Sequence, residues 1–268
     1  MRRVVGLLAV VVLALGLAAC DDKSEPAGGP VDREQVDSVA APADGACRRL
    51  TPADVAAPTN ATRTVACDGA HNAQTFLVED LPDEVAAAGY GSQDVASYGY
   101  GACGDALRGY LVGDESTVMR SVLGWAYFLP SQKAWDDGAR WYRCDVVGGG
   151  ATSERLVRLP ATARGLLAGR PADRWMVCAT GNDVDTGTKV PCSRRHDWRA
   201  VTTIKLGEPD EDYPGDQLVQ TRTQDYCSDS VGAWLNYPDD YQFGFTWFGQ
   251  AEWDAGNRRS ICWARTTE

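Results

Sequence analysis

The sequence predicts an α+β protein, with two tandem homologous small disulfide-bonded domains following a signal peptide and a flexible tether. Three observations predict it. Residues 132–144 (QKAWDDGARWYRC) align without a gap on residues 250–262 (QAEWDAGNRRSIC), and both read Trp-Asp-x-Gly-x-Arg-x-x-x-Cys. The only two histidines, His71 and His196, each follow a cysteine by four residues, in VACDGAH and VPCSRRH. Every cysteine after Cys20 has a counterpart in the other half of the chain, so a repeat has to be read before anything else.

The chain opens MRRVVGLLAVVVLALGLAAC. Two arginines precede an apolar run over residues 4–17, too short to cross a hydrocarbon layer of about 30 Å, which reads as a secretory signal peptide over residues 1–19. Its ending, Leu-Ala-Ala-Cys, has the form of a lipobox and makes Cys20 the expected lipidation site. The expected location is therefore the extracytoplasmic face of the cell membrane. The membrane partner is reached through the lipid, each buried methylene of which contributes ~0.8 kcal/mol. The formal net charge is −11, and cleavage would remove Arg2 and Arg3 as well. That balance excludes nucleic acid as a partner and gives no electrostatic attraction to an anionic membrane.

Residues 20–44 are polar, rich in Pro, Gly and Ala and without an aromatic side chain, and are expected to form the lipidated tether. Residues 45–150 form the first copy and 171–268 the second. The linker over 151–170 is announced by Gly148, Gly149 and Gly150, and its stretch PATARGLLAG is expected to form one short helix. In each copy, β-branched pairs of strands (63–67 with 74–78, 189–192 with 200–206) flank the histidine turn. A helix follows, carrying Cys103 in one copy and Cys227 in the other. Next come an aromatic strand (121–129, 241–248), a turn at Trp-Asp-x-Gly and a closing strand to Cys144 or Cys262.

An exported chain sits where disulfides persist, and no Cys-x-x-Cys occurs, which counts against a redox centre or a close-spaced zinc knuckle. Eight cysteines allow 105 connectivities, and identical folding of the copies leaves three per quartet. The favoured set is Cys47–Cys67 with Cys103–Cys144, and Cys178–Cys192 with Cys227–Cys262. No cofactor and no metal is expected. The competing reading is a metal-binding protein or hydrolase built on the paired Cys-x-x-x-His motifs, two half-sites together supplying four ligands. Against a hydrolase, Ser193 near His196 is replaced by Asp68 in the first copy, and no nucleophile elbow is present, so no catalytic residue is assigned. The acidic stretches at 181–187 and 207–216 read as solvated turns, since the first places its glycine one position early for an EF-hand. His71, His196, Trp135, Trp253, Arg140 and Arg258 remain as binding or structural candidates, the tryptophans as anchors of a turn.

The order Cys, Val-x-Cys-x-x-x-His, helical Cys, then Trp-x-x-Gly-x-Arg-x-x-x-Cys resembles the septum formation domain of actinobacterial secreted and membrane-anchored proteins, over residues 45–147 and 175–264. The chain departs from that pattern in carrying Ala70-His71 and Arg195-His196 where such domains often have Pro-His. The resemblance implies an extracytoplasmic disulfide-bonded module tied to cell division or envelope growth, and no catalytic residues. The expected function is that of a lipid-anchored, non-enzymatic binding or scaffolding protein of the bacterial envelope, with another envelope or division protein as partner.

Overall fold

Each half of the chain closes one face of an antiparallel sheet with one nineteen-residue helix. The computed structural model describes residues 28–150, 153–208, 210–254 and 256–266; the signal peptide and Cys20 lie outside them. The first repeat contains α1 (Glu34–Asp37), β1 (Cys47–Arg48), α2 (Pro52–Ala56), β2 (Ala73–Asp80), α3 (Asp83–Ala86), α4 (Gln93–Leu111), α5 (Glu115–Met119), β3 (Gly124–Phe128), α6 (Gln132–Asp136) and β4 (Trp141–Val147). The second contains β5 (Val177–Thr180), β6 (Thr188–Pro191), β7 (Trp198–Lys205), α7 (Asp216–Trp234), β8 (Phe243–Thr246), α8 (Gln250–Asp254) and β9 (Arg259–Arg265).

The sheets run β1-β2-β4-β3 and β6-β5-β7-β9-β8. Strand for strand they match: an isolated bridge from Val65 to Cys47 occupies the place that β6 fills in the second sheet. A register shift between Thr75 and Leu77 recurs between Ala200 and Thr202, and afterwards Leu77 faces Cys144 as Thr202 faces Cys262. Register errors would turn side chains to the wrong face, so a shared bulge marks one fold used twice.

The helix α4 starts at Ser92, whose side chain accepts from the Val95 amide, and buries Val95, Cys103, Leu107 and Leu111 at helical spacing. These meet Tyr142, Cys144 and Val146 on one face of β4. The bridges are Cys47–Cys67, Cys103–Cys144, Cys178–Cys192 and Cys227–Cys262, the set favoured above.

The alternate residues of β4 face the other way and form a polar cluster that patterning did not reveal. Arg48, Arg143 and Asp145 are each at most 1% exposed. Arg143 Nε lies 3.1 Å from Asp145 Oδ1 and Arg48 Nη1 3.7 Å from Oδ2, while Thr75 Oγ1 accepts from Arg48 and donates to Asp145. One carboxylate thus serves two guanidiniums, and burial pulls Arg143 down to about 10 against the opposing pull of Asp145. In the second repeat the corresponding positions are Ala179, Ala200, Ile261 and Trp263, which pack as an apolar cluster.

Three expectations require correction. Residues 28–44, read as flexible tether, are bound: Gly29 donates to the Arg49 carbonyl, Asp32 to Ala61, Arg63 to Pro30, Val36 is buried, and Gln35 Oε1 accepts from Arg48. Composition shows little apolar surface to bury, but this segment folds by covering the guanidinium cluster and satisfying its own backbone. The linker is likewise part of the first repeat, with Leu159, Ala163 and Leu167 in its core and Gln74 accepting from the Ala163 amide. Finally, residues 160–169 form turns rather than a helix, because their backbone bonds go outward, Gly165 to Tyr110 and Leu167 to Leu111.

Candidate functional site

The paired histidines are built into their loops. In both repeats Nδ1 contacts the carbonyl two residues earlier, His71 to Gly69 at 3.0 Å and His196 to Arg194 at 2.7 Å. A carbonyl only accepts, so Nδ1 is the donor in both rings. Both Nε2 atoms are buried without a hydrogen-bond partner among the described residues. The Cys-x-x-x-His metal reading fails on chemistry, since the sulfurs of Cys67 and Cys192 are spent in disulfides. The hydrolase reading meets a similar obstacle: neither ring presents an exposed nitrogen to act as base.

The Trp-Asp-x-Gly-x-Arg motif is a clasp. Arg140 lies over Trp135 with 4.2 Å between guanidinium carbon and ring centroid, and Arg258 over Trp253 at 3.7 Å. Each arginine also donates to the carbonyl of its own tryptophan. Gly138 (φ 106°) and Gly256 (φ 94°) end α6 and α8 in the left-handed region, their amides bonding Trp135 and Trp253. With Trp135 and Trp253 only 6% and 4% exposed, the motif offers no open ring face. Of the acidic stretches, Asp185 bonds its backbone to Asp183 Oδ1, and Glu208 pairs with Lys205. Among the described residues no group of three or more His, Cys, Asp or Glu gathers as a metal site.

The two repeats meet through a short antiparallel contact: Val122 donates to the Trp175 carbonyl at 2.9 Å and Val177 to Arg120 at 2.8 Å, with Arg259 paired to Glu115 at 2.7 Å nearby. Beside this junction opens a cleft of about 610 Å³. One wall is residues 148–149 and 153–158, held by the Val157 amide bonding the Gly148 carbonyl. A side chain at Gly148 would strike the Val157 carbonyl, so glycine is required for that close approach. The opposite wall is β6 and the start of its histidine loop.

The cleft carries Arg155, Arg158, Arg174 and Arg194 against one carboxylate, Glu154. All four arginines are exposed, and none forms an ion pair among the described residues; Arg174 is steadied by Trp175, 4.8 Å from its ring. Lys189 also lines the cleft, but its ammonium donates to the Val184 carbonyl over the ring of Trp263. Sequence reading missed these arginines because they are scattered over three segments, and only the junction brings them together. The single signal available was the local excess of arginine over 155–174 in an acidic chain.

Fold and cleft together define a duplicated, disulfide-bonded α+β protein whose prospective binding surface is made by the pair of repeats rather than by either one. Residues 120–262, more than half of the chain and inclusive of every residue lining the cleft, match the model of the Septum formation family, and the chain belongs to that family. No curated protein and no solved structure matches the chain.

Proposed function

We propose that this is a lipid-anchored, non-enzymatic binding protein of the cell envelope, acting in septum formation outside the cytoplasm and holding its partner in the cleft between the repeats. The observation that carries the proposal is the cleft itself: it lies wholly within the family-matched residues and exists only because two copies are joined. The family relation supports a role related to septum formation. The lipobox and Cys20 support the anchor, and because residues 28–44 are bound to the first repeat, only about seven residues are left between lipid and domain, a reach of roughly 25 Å at full extension.

A fluorescent fusion of the full chain should concentrate at the septum of dividing cells, and uniform labelling of the envelope at all stages would overturn the division role. Cys20→Ser should move the protein from the membrane fraction to the soluble extracytoplasmic fraction. Retention in the membrane would remove the anchor.

A further inference from the structure

We infer that the cleft takes an acidic, partly apolar peptide segment of a partner protein, its carboxylates held by Arg155, Arg158, Arg174 and Arg194. This rests on the cleft being the binding face proposed above and goes further by naming what enters it. The first argument is charge. In a chain of formal net charge −11, one cleft gathers around a single glutamate four arginines that form no ion pair among the described residues. Four like charges held together against one carboxylate, Glu154, repel, and a bound anion relieves that repulsion.

The second argument is side-chain type. Four of the five cations lining the cleft are arginines, whose planar fork meets a carboxylate with two parallel hydrogen bonds, while the fifth, Lys189, donates to the Val184 carbonyl. The third concerns the walls. Between the arginines the lining is Val122, Leu156, Val157, Val177 and Pro191, an apolar surface that a purely charged polymer would leave uncovered. Extended peptides place alternate side chains on opposite sides, so acidic and apolar residues in alternation fit both features. A long polyanion is disfavoured for a further reason: beyond the cleft it would run over an acidic protein and be repelled across the Debye length of ~8 Å at physiological salt. The edge strand β6 ends in Lys189, Val190 and Pro191, and proline without an amide hydrogen discourages simple strand addition. Recognition therefore falls to the side chains.

The test is fluorescence anisotropy with the purified full chain and three labelled peptides of equal length, alternating Val with Glu, Gln or Lys, together with inorganic polyphosphate as competitor. Only the Glu peptide should bind, and more weakly at about 1 M than at about 0.1 M salt, where the Debye length is ~3 Å against ~10 Å. Arg155→Glu with Arg158→Glu should weaken binding about tenfold or more, since each guanidinium makes charge-assisted bonds. The same charge change at Arg63 and Arg108, away from the cleft, should leave binding within about twofold, because exposed pairs contribute little. Arg174→Glu with Arg194→Glu reads the cleft from other segments if the first pair fails to fold. Equal binding of all peptides, binding of none, indifference to both cleft reversals, or tighter binding of polyphosphate than of the Glu peptide would each overturn the inference. Peptide binding without septal accumulation would remove the division role alone, and septal accumulation without peptide binding would remove this inference alone.

Discussion

Asp145→Ala is expected to destabilise the first repeat by about 3–5 kcal/mol, the usual effect of removing one member of a buried ion pair. The reason is the charge count on the covered face of the sheet. Asp145 is the carboxylate that Arg48 and Arg143 share, and all three are essentially inaccessible to water. Without it two guanidiniums stand side by side in a medium that hydrates neither, and Thr75 Oγ1 loses the acceptor for its proton. Urea unfolding of the full chain, followed by tryptophan fluorescence, should show the first repeat melting earlier. A loss below about 1 kcal/mol would mean that water reaches the cluster. A second variant separates charge from packing. Arg48→Met, Arg143→Met and Asp145→Leu together should recover most of the lost stability, because a buried ion cluster replaced by apolar groups of similar volume is often neutral or stabilising. The second repeat already closes the same face with Ala179, Ile261 and Trp263.

Removing the helix-to-sheet disulfide should have an effect of similar size. Cys103 and Cys144 are 41 residues apart, and closing such a loop in the unfolded chain is worth about 4 kcal/mol in the chain-entropy model. For Cys227 and Cys262, 35 residues apart, the figure is nearly the same. Paired Cys→Ser changes at either bridge should therefore remove a large share of the roughly 5–15 kcal/mol available to a whole domain. The bridge between Cys178 and Cys192 spans 14 residues and should contribute less, about 3 kcal/mol. The check is the shift in unfolding midpoint for each double serine variant against the unreduced parent. If loss of the 14-residue bridge costs as much as loss of the 41-residue one, loop closure is not what the bridges supply.

Much of the architecture was legible because the chain states it twice. The Trp-Asp-x-Gly-x-Arg strings could be aligned letter for letter, and their clasp of arginine, tryptophan and left-handed glycine depends only on residues close in sequence. Requiring one solution for both copies left three pairings per quartet, and the structure holds the favoured one. The tether and the linker were misread for the opposite reason. Residues 28–44 and 153–170 have the composition of connecting chain, and their order comes from bonds to distant groups such as Arg49, Gln74 and His71. Composition measures how much apolar surface a segment brings, not how many backbone partners a neighbouring sheet will offer it.

The sequence by itself determined the duplication, the correspondence of four cysteine positions between the copies and the α+β character, since each rests on spacing along the chain. The tertiary structure alone decided two things. It placed Arg48, Thr75, Arg143 and Asp145 on one buried face, where alternation along β4 looks ordinary until the covering segment is seen. It also drew Arg155, Arg158, Arg174 and Arg194 into one cleft. Coulombic interaction depends on separation in space, and arginines almost forty residues apart share a field only after the repeats have packed.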